Sequence, residues 1–309
     1  MGLTLVEAAK LASGDVVKSA VIEMFAQASD ILMTLPFEGI NGNAVKYNRE
    51  QTLPGIAFRG VNESYSESTG VINPMTEALV IAGGDLDVDR FIVQTQGEGQ
   101  RSIHESMKIK SLADSWTTKF IKGDTTSNTR EFDGLQVRLT GNQLIAAGSA
   151  SGGDALSLAK LDELIDSVDS PTHLIMSKAM RRRLTQAARN TSVGGFITYA
   201  QDAFGRRQTI YGGLPILVAY NSNGGTEPLG FSEANPGGGS AVGTSIYAVS
   251  FGEGRLTGIQ NGGIDVRDLG ELQTQPVYRT RVEWYASIAM YHGRAASRLW
   301  GVKDAAVVV

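Results

Sequence analysis

Residues 39–74 constrain this chain more than any other stretch. Their side chains alternate as on a strand, with Val45, Tyr47 and Arg49 on one side and Lys46, Asn48 and Glu50 on the other. Gly39, Gly42, Gly55, Gly60 and Gly70 break up any helix. After Pro54-Gly55 a second extended run, Ile56 to Gly60, is expected, followed by a polar tip from Asn62 to Thr69. A two-stranded ribbon is marginal in water by itself. This one has Val45, Tyr47 and Phe58 to bury and no adjacent helix of its own. The sequence therefore predicts an arm that lies on another subunit, with Val45, Tyr47, Arg49, Phe58 and Arg59 as inter-subunit contacts. Assembly, rather than catalysis, is the first function to consider.

The rest of the chain is long enough to support such an arm. It has 309 residues, 42% of them apolar, which suits one large domain or two modest ones, each with its own core. The formal net charge is −4, so binding to nucleic acid by charge alone is not expected. The absence of cysteine excludes disulfides and thiolate metal sites and fits a reducing compartment. The N-terminus lacks a signal-peptide pattern, and no apolar run is long enough to span a bilayer. Synthesis in the cytoplasm without membrane association is the expectation.

Along the chain, residues 1–30 read as a helical arm, with Val17, Val21, Met24, Phe25 and Ala28 on one face. Residues 31–75 are the hairpin. Strands are expected over Thr76–Ala82 and Leu86–Val93, then a helix from Gln100 to Ile121, about 33 Å long. Its core stripe is Ile109, Leu112, Ala113, Trp116 and Phe120, and Gly123 ends it. The small residues of 141–153 mark a boundary. An α/β unit follows, with helices at 156–168 and 178–189, the second capped by Ser177. Its strands are Thr172–Met176, Leu214–Tyr220 and Ser245–Phe251. The glycine-rich loop Asn221–Gly243 is expected to be exposed. A long strand, Val277–Tyr291, closes the chain. Val282, Trp284, Ala286, Ile288 and Met290 form its apolar face; Arg279, Arg281, Glu283 and Ser287 form the other.

Catalytic and cofactor patterns do not complete. Gly97-Glu98-Gly99 and Gly252-Glu253-Gly254 begin a dinucleotide fingerprint and stop. His104, His173 and His292 lie far apart in sequence. Asp85, Asp87 and Asp89 share a strand face, but a calcium loop would need glycine where Arg90 stands and glutamate where Gln96 stands. They read as a solvated acidic edge or as one side of a salt bridge between subunits. Arg181, Arg182 and Arg183 spread over about 200° of a helix and cannot face one partner together. Arg206 and Arg207 likewise read as solvated. No enzyme activity, cofactor or metal is expected.

Three segments together resemble the major capsid proteins of tailed bacteriophages. One is Ser115 to Leu135, SWTTKFIKGDTTSNTREFDGL, a long helix running into a Gly-Asp turn. The second pairs THLIMSKAMRRRLTQAARN, from Thr172, with GGLPILVAYN, from Gly212. The third runs from Asn261 to Val302. The resemblance implies an α+β, Hong Kong 97-like fold: an arm (1–30), an extended loop (31–75), a peripheral domain (76–140 with 272–309) and an axial α/β domain (141–271). It implies a shell of hexamers and pentamers in a virion around double-stranded DNA, held without sequence-specific contacts. Scaffolding, portal and decoration proteins are the implied further partners. Crosslinking through a lysine of the loop is not expected, because Lys46, its only lysine, sits near the base. An encapsulin-like compartment housing enzyme cargo is the alternative.

Overall fold

A computed structural model of the chain describes residues 3–5, 24–25, 28–97, 99–189, 195–201, 205–221, 226–240 and 242–308. In chain order the strands are β1 (Leu3–Thr4), β2 (Pro36–Gly39), β3 (Ala44–Thr52), β4 (Val71–Ala78), β5 (Val80–Asp89), β6 (Leu144–Ala146) and β7 (His173–Met176). They continue with β8 (Ile197–Gln201), β9 (Arg207–Tyr211), β10 (Leu214–Val218), β11 (Thr244–Val249), β12 (Leu256–Glu271), β13 (Val277–Met290) and β14 (Ala296–Val302). The helices are α1 (Asp30–Thr34), α2 (Arg90–Gln96), α3 (Gly99–Lys122), α4 (Leu135–Arg138), α5 (Leu158–Asp166) and α6 (Lys178–Ala187).

A five-stranded sheet, ordered β1-β2-β12-β13-β5, is built on the long antiparallel pair β12 and β13. The predicted apolar face of β13 is buried from Val282 through Met290. Helix α3 lies across this sheet and buries Ile109, Ala113, Trp116 and Phe120. Trp284 is the hub: Phe25, Phe37 and Trp116 lie 5.0, 5.2 and 5.7 Å from it, centroid to centroid. Each such ring contributes about 2–3 kcal/mol by burial, and edge or offset pairing adds roughly 0.5–1.5 kcal/mol. Phe25 shows that this part of the N-terminal arm docks on its own chain. The predicted helical face of Val17 and Val21 lies outside the described residues.

The seven-stranded sheet, ordered β6-β14-β11-β7-β10-β9-β8, is buried on both faces at its centre. Leu174, Met176, Ile216 and Ile246 pack with α5 and α6, while Ile175, Leu217, Tyr247 and Val249 join the aromatic core. Period-two alternation thus splits continuous apolar runs between two cores.

Several expectations need correction. The partner of β3 is β4, in the register Ala44↔Ala78 to Thr52↔Val71, and Ile56 to Gly60 forms no strand. Asp89 stops β5 and caps α2 by accepting the Phe91 N–H at 2.7 Å, so the strand expected to reach Val93 ends early. Strand β12, grouped in sequence with 141–271, pairs with β13 in the five-stranded sheet, whereas β14, grouped with 272–309, joins the seven-stranded one. A boundary at 271 would cut through a hairpin. The strand signal of β12 is interrupted by glycines, of which Gly262 and Gly263, at φ 78° and 74°, supply the left-handed backbone of its first register shift. The loop over 221–243 is not simply exposed. Leu229 and Glu233 are buried, and Glu233 accepts a 2.9 Å hydrogen bond from Arg298 and a short one from the Ser245 hydroxyl. Ser287 is buried too, because this half of β13 is covered on both faces.

After α3 the chain makes a closed loop. The Gly134 N–H donates to the Gly123 carbonyl at 2.9 Å. A Cβ on Gly134 would lie 2.6 Å from the Lys119 carbonyl oxygen and 2.7 Å from that of Ile121. Gly141 differs: its φ is 65° and nothing lies near its missing Cβ. Gly134→Ala should cost about 1–3 kcal/mol through overpacking, and Gly141→Ala about 1–2 kcal/mol through backbone strain. Thermal denaturation should show Gly141→Asn close to wild type, since asparagine tolerates that conformation, and Gly134→Asn no better than Gly134→Ala. Equal behaviour of the two asparagine variants would refute the distinction.

Candidate assembly surface

The β3–β4 ribbon leaves the body with one face inward. Val45, Tyr47 and Arg49 are half-buried, whereas Lys46 and Asn48 are exposed, as the alternation predicts. The surface they meet belongs to the same chain. The Tyr47 ring lies 4.7 Å from that of Tyr291, and its hydroxyl donates to the Met290 carbonyl at 3.0 Å. The Tyr47 hydroxyl also reaches Glu77 Oε1 at 3.3 Å. Glu77, on β4, forms a bidentate pair with Arg138 of α4: Nη2 donates to Oε2 at 2.8 Å, and Nη1 makes a shorter contact with Oε1. Arg138 Nε donates to the Asp133 carbonyl at 2.6 Å. Beside this network the Tyr291 hydroxyl donates to Glu38 on β2 at 2.9 Å. The root of the hairpin is therefore pinned to both the end of the closed loop after α3 and the end of β13. Val45, Tyr47 and Arg49, expected as contacts with a neighbour, are half-buried at the root, where Tyr47 packs on its own body. Arg49 lines a cleft of about 1140 Å³ shared with Tyr291 and Arg294.

The tip is different. Residues 53–70 contain no strand or helix. Leu53, Ile56, Phe58, Val61 and Tyr65 all point into solvent, with Phe58 at 103% and Ile56 and Val61 both at 92% exposure. Arg59 stacks 5.1 Å above the Tyr65 ring and donates to the Glu63 carbonyl at 3.0 Å. The Glu63 carboxylate in turn accepts the Gly60 N–H at 2.8 Å. A local turn thus shapes the tip while its apolar side chains find no cover. Of the predicted contacts, Phe58 and Arg59 lie on this uncovered surface.

The acidic row is used within the chain. Register places Asp85 opposite Arg281 and Asp87 opposite Arg279. Arg281 Nε donates to Asp85 at 2.7 Å, and Arg279 makes two 2.6 Å bonds to Asp87. Those hydrogen bonds hold both carboxyls below the usual aspartate range. Asp89 is the cap of α2. Within the subunit Asp85 and Asp87 thus form a cross-strand ladder and Asp89 a helix cap, and all three remain exposed. Among the described residues no group of three or more acidic or histidine side chains is arranged to hold a metal. Burial lowers the His173 pKa to about 4, so it is neutral near pH 7.

Sequence reading missed Glu77, Arg138 and Tyr291, which lie far apart along the chain and carry no local signal. Leu53, Ile56, Val61 and Tyr65 did carry one: isolated large apolar residues in a stretch of glycine, serine and asparagine.

Residues 13–161 match the family model for Major capsid protein GP7. No curated protein matches the chain. The holo-SrpI encapsulin from Synechococcus elongatus PCC 7942 superposes with a TM-score of 0.64 at 16% identity, covering 90% of this chain and 89% of that one. A structure from Mycobacterium phage Adephagia gives 0.60 at 12% identity, with 91% and 90% covered. The capsid of an empty GTA particle gives 0.59 at 13%, with 89% and 90% covered. The chain has the Hong Kong 97-like capsid fold. Its resemblance to tailed-phage major capsid proteins extends from sequence to architecture.

In this capsid fold the hairpin root should be a stability element in the isolated subunit. Breaking the pair with Arg138→Met or Glu77→Gln should cost about 3–5 kcal/mol, because the surviving group is left buried without its partner. Tyr47→Phe should cost about 1 kcal/mol. Urea denaturation measures both. Burial, helped by the Glu77 carboxylate, pushes the Tyr47 phenol up to about 12. Its contribution is fully present below the unfolded value of about 10 and is lost as pH rises through 12. Ultraviolet titration should show a late-ionising tyrosine that disappears in Tyr47→Phe; an unchanged titration curve would contradict the assignment.

Proposed function

We propose that this chain is the shell-forming subunit of a tailed-phage capsid. It assembles as hexamers and pentamers in the virion, around double-stranded DNA. The family match and the capsid fold support a structural rather than enzymatic role. One observation carries the reading: an anchored hairpin holds a row of uncovered apolar side chains away from the body. Exposed apolar groups concentrated on one projecting segment mark a surface meant for another protein. The simplest cover is a second copy, since a closed shell gives every tip an equivalent seat and multiplies individually modest contacts. A net charge of −4 suits a container that does not hold its DNA by charge alone. Scaffolding, portal and decoration proteins are the further partners of this proposal, and assembly takes place in the host cytoplasm.

The similarity to the SrpI encapsulin favours a second reading, a compartment shell that houses protein cargo. Particle contents separate the two.

Expressed alone, the chain should elute as large particles or capsomer rings in size-exclusion chromatography and appear so by negative-stain electron microscopy. Replacing residues 53–70 with a two-residue Asn-Gly turn retains the root. The product should keep its melting temperature within a few degrees and form no closed shells. Closed shells from that variant would contradict the role given to the tip.

A further inference from the structure

Four cations from separate parts of the chain meet at a cleft of about 290 Å³ beside α1, α6 and β9. Lys178 and Arg181 stand one turn apart on α6, while Arg206 immediately precedes β9 and Arg207 opens it. Asp30 is the carboxylate that lines the cleft among the described residues, and its Oδ2 accepts the Val218 N–H at 3.2 Å. Among the described residues, four cations against one carboxylate give the lining side chains a formal charge of +3.

Lys178 and Arg207 are positioned without being neutralised. Lys178 Nζ lies 3.9 Å from the Tyr220 ring centroid, and the Arg207 guanidinium lies 3.7 Å from that of Tyr199. Ring faces hold a cation in place and leave its charge available. Among the described residues Lys178, Arg181 and Arg207 form no ion pair, whereas Arg183, on the same helix, is paired with Asp304 at 2.7 Å. Lys178 also opens a helix with no acidic residue in its first turn, where the helix dipole disfavours cations. Crowding like charge here destabilises the empty protein, and a bound anion reverses that cost.

We propose that this cleft binds a multiply charged phosphate anion. Guanidinium forks match phosphate oxygens in geometry, and the ammonium adds a point charge. The group could come from a free oligophosphate or from the phosphodiester backbone of DNA. The proposal stands whether or not the chain builds a shell.

Isothermal titration of the full-length chain with tripolyphosphate, and separately with a short DNA duplex, tests it. Tripolyphosphate should bind saturably. Lys178→Gln with Arg207→Gln should weaken it about 100-fold, roughly tenfold for each charge-assisted contact removed. Arg182→Gln, an exposed change on the same helix outside the cleft, should leave affinity unchanged. Should the double variant fail to fold by circular dichroism, Arg207→Gln alone carries the test at about tenfold. A duplex that binds and is displaced by tripolyphosphate identifies the backbone as the source; a duplex that does not bind identifies the free anion. Absence of saturable binding by either ligand, or equal affinity in the cleft variant and wild type, would overturn the proposal. So would equal weakening by Arg182→Gln.

Discussion

The buried pair of Glu77 and Arg138 decides where the hairpin leaves the body, and the rest of the assembly surface depends on that point. Two charges withdrawn from water are costly unless geometry and further hydrogen bonds compensate them. Here the pair is bidentate, Arg138 reaches a backbone carbonyl, and the Tyr47 hydroxyl lies 3.3 Å from the Glu77 carboxylate. Such an arrangement tolerates one geometry. It fixes the root of an otherwise marginal ribbon and hands the ribbon's direction to the tip.

The body that receives this root is built for rigidity. Trp284 and Trp116 tie β13 to α3, while the closed loop between Gly123 and Gly134 sets the position of α4 and hence of Arg138. A second buried ionic group repeats the device beside the C-terminal end of α3: Glu233 draws in Arg298 of β14, with Lys122 at 3.7 Å. In both places a charged pair joins segments distant in sequence. The asymmetry between a fixed root and an uncovered tip separates the forces that fold the subunit from those that would join it to others.

Much of this was legible in the sequence. The apolar stripe of α3 and the alternation of β13 were correct nearly to the residue, because long periodic patterns report a buried face directly. The alternation of Val45, Tyr47 and Arg49 was also correct, but the packing of Tyr47 on its own body was not visible. The partners of Tyr47, Tyr291 and Met290, lie over 200 positions away, and local pattern cannot reveal which surface a strand meets. Strand β12 was hidden by its glycines. The pairing of Asp85 and Asp87 within the chain went unread because it depends on register with Arg281 and Arg279. The basic cleft went unread for the same reason, since its cations come from two elements that only the fold brings together.

Hydroxyl-radical footprinting of three aromatic side chains, compared between isolated subunits and assembled particles, tests the account most directly. Tyr47 should be protected in both states, while Phe58 and Tyr65 should label readily in the subunit and become protected in the particle. Full labelling of Phe58 and Tyr65 in intact particles, or ready labelling of Tyr47 in the folded subunit, would contradict the division between an anchored root and a tip that seats on a neighbour.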